Sequence, residues 1–197
     1  MPTFLHVGSG EKRKNQTTPG FNQPEWSEIR LDIDPGVRPD IVSDMTDMAA
    51  VAGASVDAVF SSHNIEHLYI HQVPTALAEF RRVLGPGGYA VILCPDLQAM
   101  AALIAEDKLH APAYQARAGA ITPHDSLYGY GSQIARGYLH MAHRCGFTRT
   151  SLIQALLSAG FTRVGVRRRN FELSAVAMNG ATTDAEIQRL MQDHFAS

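Results

Sequence analysis

The sequence is poor in net charge, in long apolar runs and in cysteine, and each shortage argues against a class of protein. A formal net charge of −2 over 197 residues offers no general attraction to nucleic acid or to an anionic membrane surface. No run approaches the roughly 18 apolar residues needed to span a bilayer. Cys94 and Cys145 form neither a disulfide framework nor a metal-binding pattern. We therefore expect a cytoplasmic protein that does not bind membranes, and we do not favour nucleic acid as a partner. The sequence does not predict the oligomeric state.

What remains is the composition of an ordinary globular protein, 45% hydrophobic and 18% charged, in a chain long enough for one α/β domain. Short apolar runs bounded by turn residues predict strands, and apolar positions at helical spacing predict helices between them. This alternation predicts a Rossmann-like, doubly wound sheet of mostly parallel strands with helices on both faces, in a single domain over 1–197. Strands are expected at 3–7, 29–33, 40–43, 56–61, 89–94, 163–167 and 172–178, and helices at 73–84, 97–105, 152–157 and from 183.

A glycine pair follows the first predicted strand, in the run Gly8-Ser9-Gly10. Without side chains, a backbone at this place lets a ligand approach closely. A dinucleotide-binding fingerprint would require a further glycine where Arg13 stands, and a helix to follow. Residues 11–28 are polar and interrupted by prolines, so we expect a long irregular loop there and do not favour a nicotinamide cofactor.

Acidic residues follow the next two predicted strands. Asp32 comes 22 positions after Gly10, where a carboxylate can accept hydrogen bonds from both ribose hydroxyls of a nucleoside cofactor. The alternative is that Asp32 caps the following turn, a task for which Asp34 is better placed. Asp44 can accept from an adenine amino group while Met45 packs on the ring, although a simple helix cap by Asp44 is an open alternative.

Histidines follow the fourth predicted strand. His63 is expected at the carboxyl edge of the sheet, where it can act as a base or orient a substrate. The run from His63 to His67 also has the inverted zinc-protease pattern, with Glu66 between the two histidines. On a helix the two histidines would share a face, but a third ligand would have to come from elsewhere. A structural role for His67 is the plainer alternative.

Seven short motifs follow one another along the chain: FLHVGSG at 4–10, RLDID at 30–34, VDAVFSSH at 56–63, EHL at 66–68, RRVLGPGG at 81–88, CPDL at 94–97 and AGF at 159–161. Taken in order, they resemble the successive motifs of class I S-adenosylmethionine-dependent methyltransferases. The resemblance spans roughly residues 3–180. It implies a sheet of seven strands with the last antiparallel, and S-adenosylmethionine as cofactor.

The resemblance also implies which residues form the site. The glycine loop is expected to hold the methionine moiety, Asp32 the ribose, and Asp44 with Met45 the adenine. An irregular segment around 108–147 is expected to form a substrate lid. The predicted set comprises His63 as the catalytic residue; Gly8, Ser9, Gly10, Asp32, Ile33, Asp44, Met45 and Ser62 at the cofactor; Tyr128, Tyr130, His140 and His143 at the substrate; and no metal ligand.

The resemblance therefore predicts methyl transfer to an unidentified acceptor, a small molecule or a glycan or lipid precursor. Two departures from the family pattern are visible: His6 stands where an acidic residue is usual, and the helix after the glycine loop is missing or remade. They motivate a second hypothesis, an inactive cofactor-binding or regulatory protein of the same fold. A zinc-dependent hydrolase that uses His63, Glu66 and His67 is the third.

Overall fold

The computed structural model describes residues 1–116 and 119–195. Its strands form a large sheet and a separate small hairpin. The strands of the large sheet are β1 (Thr3–Val7), β2 (Ser27–Asp32), β3 (Ile41–Val42), β4 (Val56–Ser62), β5 (Leu84–Pro95), β8 (Arg163–Arg169) and β9 (Glu172–Met178), and those of the hairpin are β6 (Tyr114–Ala116) and β7 (Gly119–Ile121).

The order of strands across the large sheet is β3-β2-β1-β4-β5-β9-β8. Strands β1 to β5 are parallel, whereas β9 pairs antiparallel with both β5 and β8. The predicted Rossmann-like sheet of seven strands, with the last strand antiparallel, is therefore confirmed. Chain order reverses between β1 and β4, the kind of position at which open α/β sheets bind ligands.

Helices connect the strands at positions close to those predicted from apolar spacing. The last helix begins after Thr183, whose hydroxyl oxygen accepts from the backbone N–H of Glu186 at 3.2 Å. No helix in the described ranges is long and apolar enough to cross a bilayer. The helices are α1 (Val73–Val83), α2 (Leu97–Ala105), α3 (Pro123–Tyr128), α4 (Gly131–Ile134), α5 (Arg149–Ser158) and α6 (Asp184–Phe195).

The start of β5 differs from the sequence prediction. The run Gly85-Pro86-Gly87-Gly88 was expected to lie between a helix and a strand that begins at Tyr89, but β5 begins at Leu84. The pairing register with β4 shifts within this run. A side chain on Gly88 would lie 2.9 Å from the carbonyl oxygen of Asp57, so the glycine allows the two backbones to come close.

The loop between β1 and β2, residues 8–26, contains one short 3-10 helix, Lys14–Gln16, in place of an ordinary helix. The predicted loop 11–28 ends two residues earlier in the structure, because β2 begins at Ser27. The buried apolar residues form two clusters, and the later part of this loop packs in the smaller one. There the rings of Phe21 and Trp26 contact each other with 5.1 Å between their centroids. Trp26 therefore contributes to the core on this face of the sheet. His194, from α6, packs against the ring of Phe21 in this cluster. Its Nδ1 lies 2.6 Å from the hydroxyl of Thr18, and its Nε2 lies 3.1 Å from the hydroxyl of Tyr89.

The buried imidazole of His194 makes the stability depend on pH. Burial, together with the charge of Arg189, lowers the pKa of His194 from 6.5 to about 4. Between these values the unfolded chain binds a proton that the folded chain does not, so the free energy of unfolding falls as the pH drops from 6.5 towards 4. We expect this residue to account for a loss of up to about 3 kcal/mol, measured by urea unfolding at several pH values.

His194→Gln cannot titrate, so its destabilisation relative to wild type should shrink as the pH falls. Exposed His71 supplies the matched control, because His71→Gln should follow the wild-type curve at every pH. A constant difference between wild type and His194→Gln from pH 7 to pH 4 would contradict this account.

Candidate functional site

The glycine loop after β1 and the end of β2 meet through one carboxylate. The strands are parallel neighbours, with Val7 opposite Leu31, so the residues that follow them lie at the same edge of the sheet. The backbone N–H of Gly10 donates to Oδ2 of Asp32 at 2.7 Å, and that of Asp34 donates to Oδ1 at 2.9 Å. Because a carboxylate oxygen accepts two hydrogen bonds, each oxygen of Asp32 retains capacity for a ligand hydroxyl.

The two glycines of this loop have different surroundings. Both have positive φ, +62° at Gly8 and +53° at Gly10, which favours glycine at each position. A Cβ on Gly8 would lie 2.3 Å from Nδ2 of Asn64, whereas a Cβ on Gly10 would have no heavy atom within 4 Å. Gly8 therefore packs against the protein, and Gly10 faces open space beside Asp32.

Asn64 fastens the glycine loop to the end of β4. Its Nδ2 donates to the carbonyl oxygen of Val7 at 2.5 Å, and its Oδ1 accepts from the hydroxyl of Ser61 at 2.5 Å. All three groups are buried. The amide thus spans two neighbouring parallel strands at their carboxyl ends and fixes the turn that begins at Gly8.

The side chain of Arg30 connects the loop after β1 to the loop after β2. Its side chain is 1% exposed and donates only to backbone carbonyls. Nε donates to Lys12 at 3.1 Å, Nη1 to Arg38 at 2.8 Å, and Nη2 to Val37 at 3.1 Å and also to Gly10. One planar guanidinium, with its fixed set of donors, therefore links the loop after β1 to the loop after β2.

The other predicted cofactor residues lie along the same edge. Ile33 is 55% exposed, which is unusual for an isoleucine next to a buried carboxylate. Oδ1 of Asp44 accepts from both the N–H and the hydroxyl of Thr46 at 2.7 Å, and Met45 packs against the main apolar core. Ser62 ends β4.

Ser9 contributes through its backbone. Ser9 is buried. Its N–H donates to the carbonyl oxygen of Leu31 at 3.3 Å, and its carbonyl oxygen accepts from the N–H of Lys12 at 3.0 Å. The hydroxyl turns back onto the carbonyl of Gly10 at 3.4 Å. Ser9 thus shapes the loop, and its side chain has a local partner.

His63 lies between two carboxylates just beyond β4. Nε2 is 3.0 Å from Oε2 of Glu172, and Nδ1 is 3.5 Å from Oε1 of Glu66. Burial alone would lower the pKa of His63, but hydrogen bonds and charge from Glu172 and Glu66 outweigh it and raise the pKa to about 9. The ring is a cation at neutral pH, 37% exposed at the surface of the cleft.

The structure does not place His63 and His67 on one helix, as the inverted zinc-protease pattern would require. Residues 65–67 form a 3-10 helix, and His63 lies outside it with a positive φ of +53°. His63 and His67 therefore do not share a helical face. Instead, the imidazole of His67 lies beside that of His143, with 4.9 Å between ring centroids and a T-shaped arrangement.

The predicted substrate residues are spread over the segment around 108–147. Tyr128 is 58% exposed and His140 is exposed. Tyr130 is partly buried, with its hydroxyl 3.1 Å from the position of a Cβ on Gly119. His143 is also partly buried, and its Nδ1 lies 2.8 Å from the carbonyl oxygen of Ser126.

Sequence reasoning missed Glu172, Arg30 and Asn64. Glu172 is the first residue of β9, and an antiparallel strand begins at the edge where the parallel strands end. The predicted hairpin therefore contained the signal that would have placed Glu172 beside His63. Arg30 alternates with apolar residues in β2, and nothing in this alternation distinguishes a buried guanidinium from an exposed one.

Comparisons with known proteins agree with this geometry. Residues 5–92 match the family described as "Methyltransferase domain". Among curated proteins, no sequence matches. A SAM dependent methyltransferase from Archaeoglobus fulgidus superposes with a TM-score of 0.55 at 14% identity, over 90% of this chain and 86% of the other.

Two further solved structures share the fold. SAM-dependent methyltransferase from Methanosarcina mazei gives a TM-score of 0.61 at 14% identity, over 91% of this chain and 93% of the other. An N1-methyltransferase from Burkholderia thailandensis, solved with S-adenosylhomocysteine, gives 0.56 at 16% identity, over 91% and 72%. At these identities the similarity concerns the fold.

The role of Arg30 can be tested with Arg30→Lys. A lysine keeps the charge, but its single ammonium cannot reach carbonyls on both loops, so at least one buried carbonyl loses its partner. We expect a loss of about 1–3 kcal/mol in the free energy of unfolding, measured by urea denaturation, and faster amide exchange in residues 10–14. The control is Arg13→Lys in the same loop, at an exposed position, which should change stability by less than about 0.5 kcal/mol. Equal stability of both variants would refute the clamp.

Proposed function

We propose that this chain is a class I S-adenosylmethionine-dependent methyltransferase, in keeping with the family model that matches residues 5–92, and that it transfers a methyl group from S-adenosylmethionine to an acceptor. The observation that carries the proposal is the pairing of Asp32 with the N–H of Gly10 at 2.7 Å. It places a carboxylate with spare acceptor capacity next to a glycine whose Cβ side is open. These are the two requirements of a site for a ribose beside a closely approached backbone.

The residues around this pair fit the remaining parts of the cofactor. Asp32 would accept from the ribose hydroxyls, and the backbone from Gly8 to Gly10 would hold the methionine moiety. Thr46 holds one oxygen of Asp44, and the other oxygen would accept from the adenine amino group. Ile33, which is exposed, and Met45 would pack on the adenine ring, which would remove apolar surface from water.

When bound, S-adenosylmethionine supplies a methyl group on a positively charged sulfur, already activated for in-line displacement. The protein's task is then to bring the acceptor atom into line and to exclude water. Ser62 and His63 lie at the end of β4, between the glycine loop and the start of β9. We therefore place the acceptor above this point.

Within this proposal His63 orients the acceptor and does not act as its base. Both ring nitrogens face carboxylates, Nε2 at 3.0 Å from Glu172 and Nδ1 at 3.5 Å from Glu66. Neither nitrogen is therefore left to take a proton from the acceptor. The exposed edge of the ring is available for contact with the acceptor, and the two carboxylates fix its orientation.

The acceptor is proposed to be a small molecule or a glycan or lipid precursor. Tyr128, Tyr130 and His140 lie in the proposed lid around 108–147 and offer ring surfaces and polar groups to it. Among proteins of similar fold, one from Burkholderia thailandensis is a 1,6-didemethyltoxoflavin-N1-methyltransferase, and one from Thermotoga maritima is a possible histamine N-methyltransferase. A net charge of −2 also gives nucleic acid no general attraction. A cytoplasmic location remains part of this proposal.

Active methyl transfer is preferred to the two alternatives. The inactive binding protein was suggested by His6 and by the missing helix, and in the structure Glu28 and Arg30 support the glycine loop in their place. The zinc-hydrolase hypothesis required His63 and His67 on one helical face, and His63 lies outside the 3-10 helix of residues 65–67.

Calorimetric titration with S-adenosylhomocysteine tests the cofactor site. Wild type should bind, and Asp32→Ala should weaken binding by about tenfold or more, which corresponds to about 1.4 kcal/mol. Asp32→Asn keeps the shape of the side chain and should weaken binding as well, because the carboxylate charge and one acceptor oxygen are lost.

The matched control is Asp34→Ala. Asp34 caps the next turn by accepting from the N–H of Gly36 at 2.7 Å, so its loss should change affinity by less than about threefold, roughly 0.6 kcal/mol. Circular dichroism of each variant checks that the fold is retained. No heat with wild type, or equal affinity for wild type and Asp32→Asn, would exclude the proposed site.

A further inference from the structure

A second group of potential ligands lies beneath the loop after β4, outside the proposed cofactor cleft. It consists of Glu66 and His67, from the 3-10 helix, and His143, from the segment that precedes α5. One ligand atom from each of these residues lies within 4.8 Å of the others. The residues come from parts of the chain separated by more than seventy positions, so the tertiary fold creates the group.

The buried carboxylate of Glu66 is ion-paired with the His63 ring, but the structure gives it no hydrogen bond of normal length. Glu66 is 1% exposed, and neither of its oxygens has a hydrogen-bond partner among the described residues. The nitrogen of His63 stands at 3.5 Å from Oε1, beyond a strong hydrogen bond. A carboxylate in this position is costly unless a cation or a donor completes it.

The two histidines are oriented as metal ligands usually are. Nδ1 of His67 lies 3.2 Å from the carbonyl oxygen of Ala142, and Nδ1 of His143 lies 2.8 Å from that of Ser126. A carbonyl can only accept, so each Nδ1 carries the proton and each lone pair is on Nε2. Backbone carbonyls that fix histidine tautomers in this way are the common outer shell of metal sites.

Backbone contacts hold the three side chains together. The carbonyl oxygen of Glu66 accepts from the N–H groups of Arg144 at 2.8 Å and Cys145 at 3.2 Å. The guanidinium of Arg144 donates to the carbonyl of His67 at 2.9 Å. Residues 142–145 are thus fastened beside residues 65–67 by bonds that do not involve the ligand atoms, so the site is preorganised.

We propose that Glu66, His67 and His143 bind a divalent transition-metal ion, with Zn²⁺ the favoured one. Two imidazoles and one carboxylate are a ligand set that Zn²⁺ takes in proteins, with a fourth position left to water or another group. The ion would complete the coordination of the Glu66 carboxylate, which the ion pair with His63 leaves without a normal hydrogen bond, and would fasten the segment that contains His143 to the end of β4. This inference does not depend on the proposed methyl transfer.

The test is calorimetric titration of Zn²⁺ into untagged, full-length protein that has been treated with a chelator. We expect one equivalent bound with a Kd of about 1 μM or below. His143→Gln and His67→Gln should each weaken binding by at least about tenfold. His140→Gln is the matched control, since His140 is exposed in the same segment, and it should bind as wild type does.

A second measurement separates this site from binding by cysteine. Cys145 is close by, with its sulfur 3.4 Å from the carbonyl of Ile65. Co²⁺ in place of Zn²⁺ should give the visible bands of a low-coordinate ion without a thiolate charge-transfer band. Saturating Zn²⁺ should also raise the melting temperature of wild type but not of His143→Gln.

Each of three results would overturn the proposal: no stoichiometric Zn²⁺ binding by wild type, equal binding by wild type and His143→Gln, or a thiolate band with Co²⁺. These outcomes are independent of S-adenosylhomocysteine binding. A protein that binds the nucleoside but not the metal would therefore retain the proposed function and lose only this inference.

Discussion

The buried guanidinium of Arg30 is the interaction on which the rest of the candidate site depends. Its donors reach the carbonyls of Gly10 and Lys12 in one loop and of Val37 and Arg38 in the next. Four hydrogen bonds to backbone carbonyls offset much of the cost of burying this cation. The glycine loop is thereby held where the N–H of Gly10 points at the carboxylate of Asp32, without an ordinary helix behind it.

A second set of contacts explains the departure from the family pattern at His6. His6 is buried, and its Nδ1 lies 2.7 Å from Oε1 of Glu28, whose other oxygen accepts from the N–H of Lys14 at 2.9 Å. The acidic group thus comes from β2 instead of β1, and it supports the same loop. The irregular segment between β1 and β2 is consequently an ordered alternative to a helix.

The parts of the structure that were predictable are those governed by local pattern and by strand adjacency. Asp32 could be placed beside Gly10 because neighbouring parallel strands end at one edge, and the hydrogen bond between them confirms that geometry. The bulged start of β5 was mispredicted, since a run of glycine and proline suggests a turn and not a strand. Contacts such as His63 with Glu172 and Glu66 with His143 depend on tertiary packing, which spacing within a single sequence does not encode.

The central claim is that the carboxylate of Asp32 accepts hydrogen bonds from the two ribose hydroxyls of the cofactor, beside Gly10, whose Cβ side is open. A crystal structure of the protein with S-adenosylhomocysteine tests it most directly. The account predicts both ribose hydroxyls within hydrogen-bonding distance of the Asp32 oxygens, and the homocysteine moiety along the backbone at Gly10. A nucleoside bound elsewhere on the protein, with Asp32 contacting only its own backbone N–H groups, would contradict it.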